Sequence, residues 1–394
     1  RADGLAVLAE LPPHRGLSMA DDHDLPPQDG PRPGLVPLPG SSEHPIADLY
    51  VRHLLAVDED VDPSEIEALA LSRFPATRWE TPPEVVQAKA GRGSRGSEAH
   101  ERLVPGTLRT SRHTTISGPY APTSDDGTAL GFDGPVGMVY EVLCPRERGA
   151  APFQGGGDRD GLARVYSEAF PVREEARVAS WLVAVARRLC GAVRFDLGAT
   201  EPRFVVPDPA VSVDLTVYSD VWLSPDAALA VCTQADGSAR LASTGTPWQG
   251  PPQTAGTVPV EPDGPLTPEQ LAALHARAED ADIAALTGPR TLSAYAVEVD
   301  LGDDGLVSVE VSGVEQLPLV LRGLEWAVDG AIAYQVRWTP EDLVDWQREL
   351  PSFEHRVSRT RAAGVVAALT RAVHVAVGGE IVDQDEFLVE PDDV

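Results

Sequence analysis

The sequence predicts an α+β fold. It would contain mixed, largely antiparallel sheets covered on one face by helices, in two related modules with an extended N-terminal arm. Three observations predict it. Arg173–Phe195 reads as an amphipathic helix that stops at Gly191 and turns directly into a strand. A weaker copy of that pattern runs from Arg359 to Val389. Tyr295–Leu301 and Leu306–Val311 alternate apolar and polar residues around Gly302-Asp303-Asp304-Gly305, as a hairpin with one dry face does.

In the first helix, Val178, Trp181, Leu182, Val185 and Leu189 share one stripe. Glu174 and Glu175 at its start, and Arg187 and Arg188 at its end, complement the helix dipole. The copy carries Val365, Val366, Leu369 and Val373, then Gly378-Gly379. Two strand-to-helix joints also look alike. Val211–Tyr218 leads to Ser224-Pro225-Asp226, and Ile332–Trp338 leads to Thr339-Pro340-Glu341. Duplication explains these likenesses, and so does convergence on common joints.

Taken in order, residues 1–44 are rich in Pro, Gly and Asp and read as an extended or disordered arm, with a short helical possibility at Leu5–Leu11. Asp21-Asp22-His23-Asp24 within it reads as a solvated acidic turn. Residues 45–74 look like two short helices. The first would carry Ile46, Leu49, Tyr50, His53 and Leu54, and the second starts at Asp62-Pro63-Ser64-Glu65. Residues 75–130 hold Lys89, Arg92, Arg95, Arg102, Arg109 and Arg112 among Gly and Ser, and read as a basic loop. Met138–Leu143 is the first clear strand, and Leu162–Phe170 a short helix. Residues 236–264, around Trp248, form a Pro/Gly/Thr-rich boundary. A helix follows from Thr267-Pro268-Glu269 to about Leu286, and others are expected at 317–326 and 340–350. The expected divisions are therefore 1–44, 45–130, 131–264 and 265–394.

The 394 residues carry a net charge of −29, which opposes broad contact with nucleic-acid phosphates. Lys89 is the one lysine, and there is no asparagine, so lysine chemistry can rest only on Lys89. Cys144, Cys190 and Cys232 lie far apart with no CxxC, which fits a reduced, cytoplasmic setting. No run of about 18 apolar residues occurs, so no membrane insertion is expected. A nucleophile elbow, an HExxH and a dinucleotide fingerprint are all missing.

These readings favour a non-enzymatic, cytoplasmic protein-interaction or structural protein without cofactor or metal. Its partner would be another protein or a second copy. Trp222 and Trp346 are candidate contacts if exposed, as are Arg92, Arg95 and Arg102. One alternative is a hydrolase or transferase with a carboxylate site, for which Glu298, Asp300 and Glu310 are the best cluster. Another is a phosphate or nucleic-acid contact by the 89–112 loop.

Overall fold

The computed structural model describes residues 34–40, 49–87, 101–122, 137–153, 155–197, 203–242, 246–247 and 292–394. The fold is α+β, with two sheets. The first draws its strands from Gly34–Pro37 (β1), Tyr50–Val57 (β2), Arg78–Thr81 (β3), Glu84–Gln87 (β4), Glu101–Val104 (β5), Gly106–Arg109 (β6), Thr115–Ala121 (β7), Met138–Pro145 (β8), Ala192–Phe195 (β9) and Arg203–Val205 (β10). Its order is β10-β9-β2-β8-β7-β1-β5-β4, with β6 also on β7 and β3 beyond β6. The second sheet comprises Leu215–Ser219 (β11), Arg240–Leu241 (β12), Thr246–Pro247 (β13), Leu292–Asp300 (β14), Leu306–Val314 (β15), Ala331–Thr339 (β16), Glu380–Asp383 (β17) and Leu388–Val389 (β18). Its order is β12-β14-β15-β16-β11-β17-β18, with β13 on β14. Sheet membership thus divides the chain between Val205 and Leu215, not at 264.

Each sheet carries a short helix after its central strand, then a helical turn and a long helix. In the first module these are Pro63–Leu71 (α1), Leu162–Val165 (α2) and Arg173–Arg188 (α3). In the second they are Pro225–Ala235 (α4), Leu343–Trp346 (α5) and Phe353–Val377 (α6).

The two modules agree at the level of register. Ala56 sits between Val139 and Ala192, as Tyr218 sits between Ala333 and Glu380. From Arg78 the pairing crosses to Arg109, Thr115 and Leu143. From Arg240 it crosses to Glu298, Ser308 and Arg337. Ala56, Pro63 and Arg78 stand at the same spacing as Tyr218, Pro225 and Arg240. A Cβ on Gly191 would strike the Ala56 carbonyl, and one on Gly379 the Tyr218 carbonyl. Both glycines therefore let a long helix hand over to a strand against the central strand.

Local chemistry explains the starts of the short helices. The Asp62 carboxylate accepts from Ser64 N at 2.8 Å, and Glu65 reaches back to Asp62 N at 2.8 Å, which is a capping box. Ser224 caps α4 ahead of Pro225. The stripe Val178, Trp181, Leu182 and Val185 is buried in the first core, and Val366, Leu369 and Val373 in the second. By length and composition α6 could cross a membrane, but its stripe lies in the core of its own module.

Several expectations give way. Residues 50–57 form β2, the central strand, rather than a helix. Both of its faces are covered, so its apolar run carries no alternation, and helix and strand look the same. The stretch read as a basic loop holds strands β3 to β7 wherever it is described. Gly34–Pro37, expected in the arm, is a strand lying parallel to both β5 and β7. The joint from β11 to α4 matches the one from β2 to α1, and the joint from β16 to α5 matches that from β8 to α2. The two joints paired in the sequence are therefore not equivalents. Residues 317–326 form 3-10 turns, and 340–350 only one helical turn. The helix expected at 267–286, Trp248, Leu5–Leu11 and Asp21–Asp24 lie outside the described residues.

Candidate functional site

The sequence-derived sites disperse. Lys89, Arg92 and Arg95 fall outside the described residues, while Arg102 lies exposed on β5. Arg109 is engaged with Glu80 and with the Arg112 carbonyl at 3.0 Å. Glu298 and Asp300 lie on β14, and Glu310 lies on β15 opposite Ala296. They share the wet face of the second sheet, where Arg240 stands 3.7 Å from Glu298 and Arg337 stands 3.9 Å from Glu310. Among the described residues no group of His, Cys, Asp and Glu has metal-holding geometry.

The tryptophans behave differently from each other. Trp222 is partly exposed on a loop between β11 and α4, edge-on to Tyr295 at 5.5 Å. That loop is pinned by two tyrosines. Tyr334 Oη donates to Val221 O at 2.8 Å, and Tyr295 Oη donates to Leu223 O at 2.6 Å. Trp346 packs on the second core beneath the Arg159 guanidinium, 5.0 Å away.

The seam between modules is built from arginines. Arg187 holds Asp160 and Asp385 at 2.5 Å each. Arg159 donates to Val211 O at 2.6 Å, and Arg164 to Glu349 at 2.7 Å. Arg359 reaches Asp208 at 2.5 Å, while Phe387 of the β17–β18 turn is buried in the first module's core. Beside it, burial pushes Asp383 up to about 6, and Arg188 stands 3.7 Å away.

The most polar interior lies in the first module. Glu175, in the first turn of α3, is fully buried and accepts from Glu147 N at 2.7 Å and from Arg148 at 2.5 Å. His53 of β2 approaches it at 3.8 Å. The His53 ring accepts from Asp196 N at Nδ1, 3.1 Å away, so the neutral ring carries its proton on Nε2, which has no hydrogen-bond partner. Burial drives His53 down to about 3, against the pull of Asp196. Burial likewise pushes the Cys144 thiol and the Tyr166 phenol up. This chemistry favours neutral His and thiol with a tightly held carboxylate, an arrangement that organises a core.

The outward-facing candidate is the joint between α5 and α6. Leu343 (51 % exposed), Val344 (70 %), Leu350 (87 %) and Phe353 (72 %) all stand out from it. The backbone beneath them is fixed. Asp342 caps α5 through Val344 N and Asp345 N, both at 2.9 Å. The buried Asp345 carboxylate takes Ser352 N at 3.0 Å, and Ser352 Oγ takes His355 N at 3.1 Å. The first module treats the same joint in the opposite way. Leu162 and Phe170 there pack on the core, and Phe170 sits edge-on to Tyr166 at 6.3 Å. Helix length supplies the reason. α6 has 25 residues against 16 in α3, and nine extra residues carry its start about 13 Å further along the helix axis.

Sequence reasoning missed this surface. Its one signal is a pair of large apolar residues flanking Pro351-Ser352, off the stripe of the helix that follows. Comparison with family models, with curated proteins and with solved structures gives no match.

Proposed function

We propose that this chain is a non-enzymatic protein-interaction scaffold of two modules descended from one by duplication. In this reading the first module is the filled, load-sharing half. The second presents its α5–α6 joint to another protein.

One observation carries the reading: four large apolar side chains face water on a rigidly capped joint, where the counterpart packs Leu162 and Phe170 partly buried on its core and exposes only Val172, at 37 %. Scattered exposed apolar residues are ordinary, but a fixed cluster within eleven residues of chain has the makeup of a contact centre. The shared registers support descent from one module. The engagement of Arg109 with Glu80 weakens the phosphate-contact alternative. Arginine partners for Glu298 and Glu310 likewise weaken the carboxylate-enzyme alternative.

The test is photo-crosslinking from a reactive amino acid placed at Leu350, with Val375, exposed on α6, as a control. A discrete adduct from position 350 and not from 375, lost when Phe353→Asp is added, is expected. Equal labelling from both positions would refute the reading.

A further inference from the structure

We infer that the occupant of the α5–α6 joint is a cationic amphipathic segment of another protein. This rests on the joint being a docking surface, and it names the chemistry of what docks.

The argument is charge placed around an apolar centre. Glu341, Asp342 and Glu354 are exposed and flank Leu343, Val344, Leu350 and Phe353 in sequence. Among the described residues none of the three acids takes part in an ion pair. Asp342 spends part of its carboxylate on capping α5, and Glu341 and Glu354 have no acceptor role or ion pair among the described residues. Two of the neighbouring cations are held by acids, and the third, Arg356, lies on the apolar centre. Arg348 holds Asp345 at 3.1 Å, Arg164 holds Glu349, and Arg356 lies 5.9 Å over the Phe353 ring. The joint therefore offers exposed apolar side chains with more carboxylates than free cations beside them in the chain. A helix with leucines along one face and arginines beside them would complement both features.

A second copy of this chain is the poorer occupant. Each copy carries −29, so two copies repel each other at long range before any apolar contact forms. The same net charge steers a cationic segment towards the joint and makes its arrival salt-dependent.

The experiment titrates the full chain with three synthetic helical peptides of one leucine pattern, bearing arginine, glutamine or glutamate on the flanking positions. Sedimentation of the chain alone runs in parallel. The Leu/Arg peptide is expected to bind best. Leu350→Asp with Phe353→Asp should weaken it about tenfold or more, as loss of a buried apolar anchor does. Glu341→Gln with Glu354→Gln should weaken it about threefold and flatten its salt dependence, the scale of exposed ion pairs.

Equal binding of the Leu/Gln peptide would overturn the cationic chemistry while leaving the docking surface standing. Leu/Arg binding unaffected by the Leu350→Asp/Phe353→Asp change would overturn both, because the attraction would then be general charge. So would failure of all three peptides to bind. Self-association that disappears with the same double change would overturn the inference in favour of a second copy.

Discussion

Over their matched strands the two modules share order and register, yet they fill equivalent places with different chemistry. Both bury ions, Asp345 and Arg359 in the second, but the first gathers them across its sheet. Arg52 pairs with Glu141 on one face of its sheet, and His53, Arg148 and Glu175 cluster on the other. In the second module, Leu215 stands in the place of His53, Gln335 in that of Glu141, and Trp338 in that of Cys144. Counted back from the matched glycines, Ala363 takes the place of Glu175, and His355, further along α6, lies against the Trp338 ring at 5.2 Å. One backbone accepts either filling, because strand pairing and the helix-to-glycine handover do not depend on what the interior side chains carry. The modules differ in what the filling costs when it is broken.

The sharpest way to break the comparison is at Glu175. Glu175→Ala leaves the Arg148 guanidinium and Glu147 N without their acceptor, and should lower stability by about 3–5 kcal/mol in urea titration. Replacing Glu175 and Arg148 together by Leu and Met should cost clearly less, because no charge is stranded. A double replacement as costly as the single one would mean that the ions themselves hold the module.

His53 sharpens the contrast through pH. Its pKa is about 3 in the fold against 6.5 in the free side chain, so below pH 6.5 the unfolded chain takes up a proton that the fold refuses. Stability should fall between pH 6.5 and 3, by about 2–4 kcal/mol over the window. His53→Leu, which installs the second module's own residue, should flatten that limb in thermal unfolding followed against pH, whatever it does to the absolute midpoint. An unchanged slope would assign acid sensitivity to another group.

Asp383, at the seam, has the opposite sign. Its pKa is raised to about 6 from 3.8, so the fold keeps a proton that the unfolded chain releases. That stabilisation is complete below pH 3.8 and is lost as pH rises through 6. Asp383→Asn can keep the acceptor for Asp385 N and Phe387 N, both at 2.9 Å. It should stabilise the chain at pH 8 by about 1–2 kcal/mol and do nothing at pH 4. The smallest effect belongs to the exposed joint. Leu350→Asp with Phe353→Asp should move stability by less than about 0.5 kcal/mol, as surface changes do. A large loss would mean that the joint is internal to the fold.

Much of the fold's outline was readable from residue patterns. The stripe from Val178 to Val185, the glycine stops, the Asp62 and Ser224 starts and the alternation in Tyr295–Leu301 all follow from local rules that act within a turn or two. Strand β2 was not readable, since a strand covered on both faces alternates no more than a buried helix does. Nor were β3 to β6, which are only four residues each and mostly polar. The joint at Leu350 was invisible for another reason. Phe170-Pro171 and Leu350-Pro351 look equivalent in sequence, and nothing local says that one turns in and the other out.

The sequence by itself determined the fold class, the long helices with their stops, the net negative charge, and the residues that start α1 and α4. Those properties depend on neighbours in the chain. Tertiary structure alone decided which strands lie side by side and which arginines reach across the seam. It also decided that Leu350 and Phe353 stand in water while Phe170 packs partly buried on the first core. Such outcomes depend on distances between residues far apart in the chain, set when the two sheets and their helices close around separate cores.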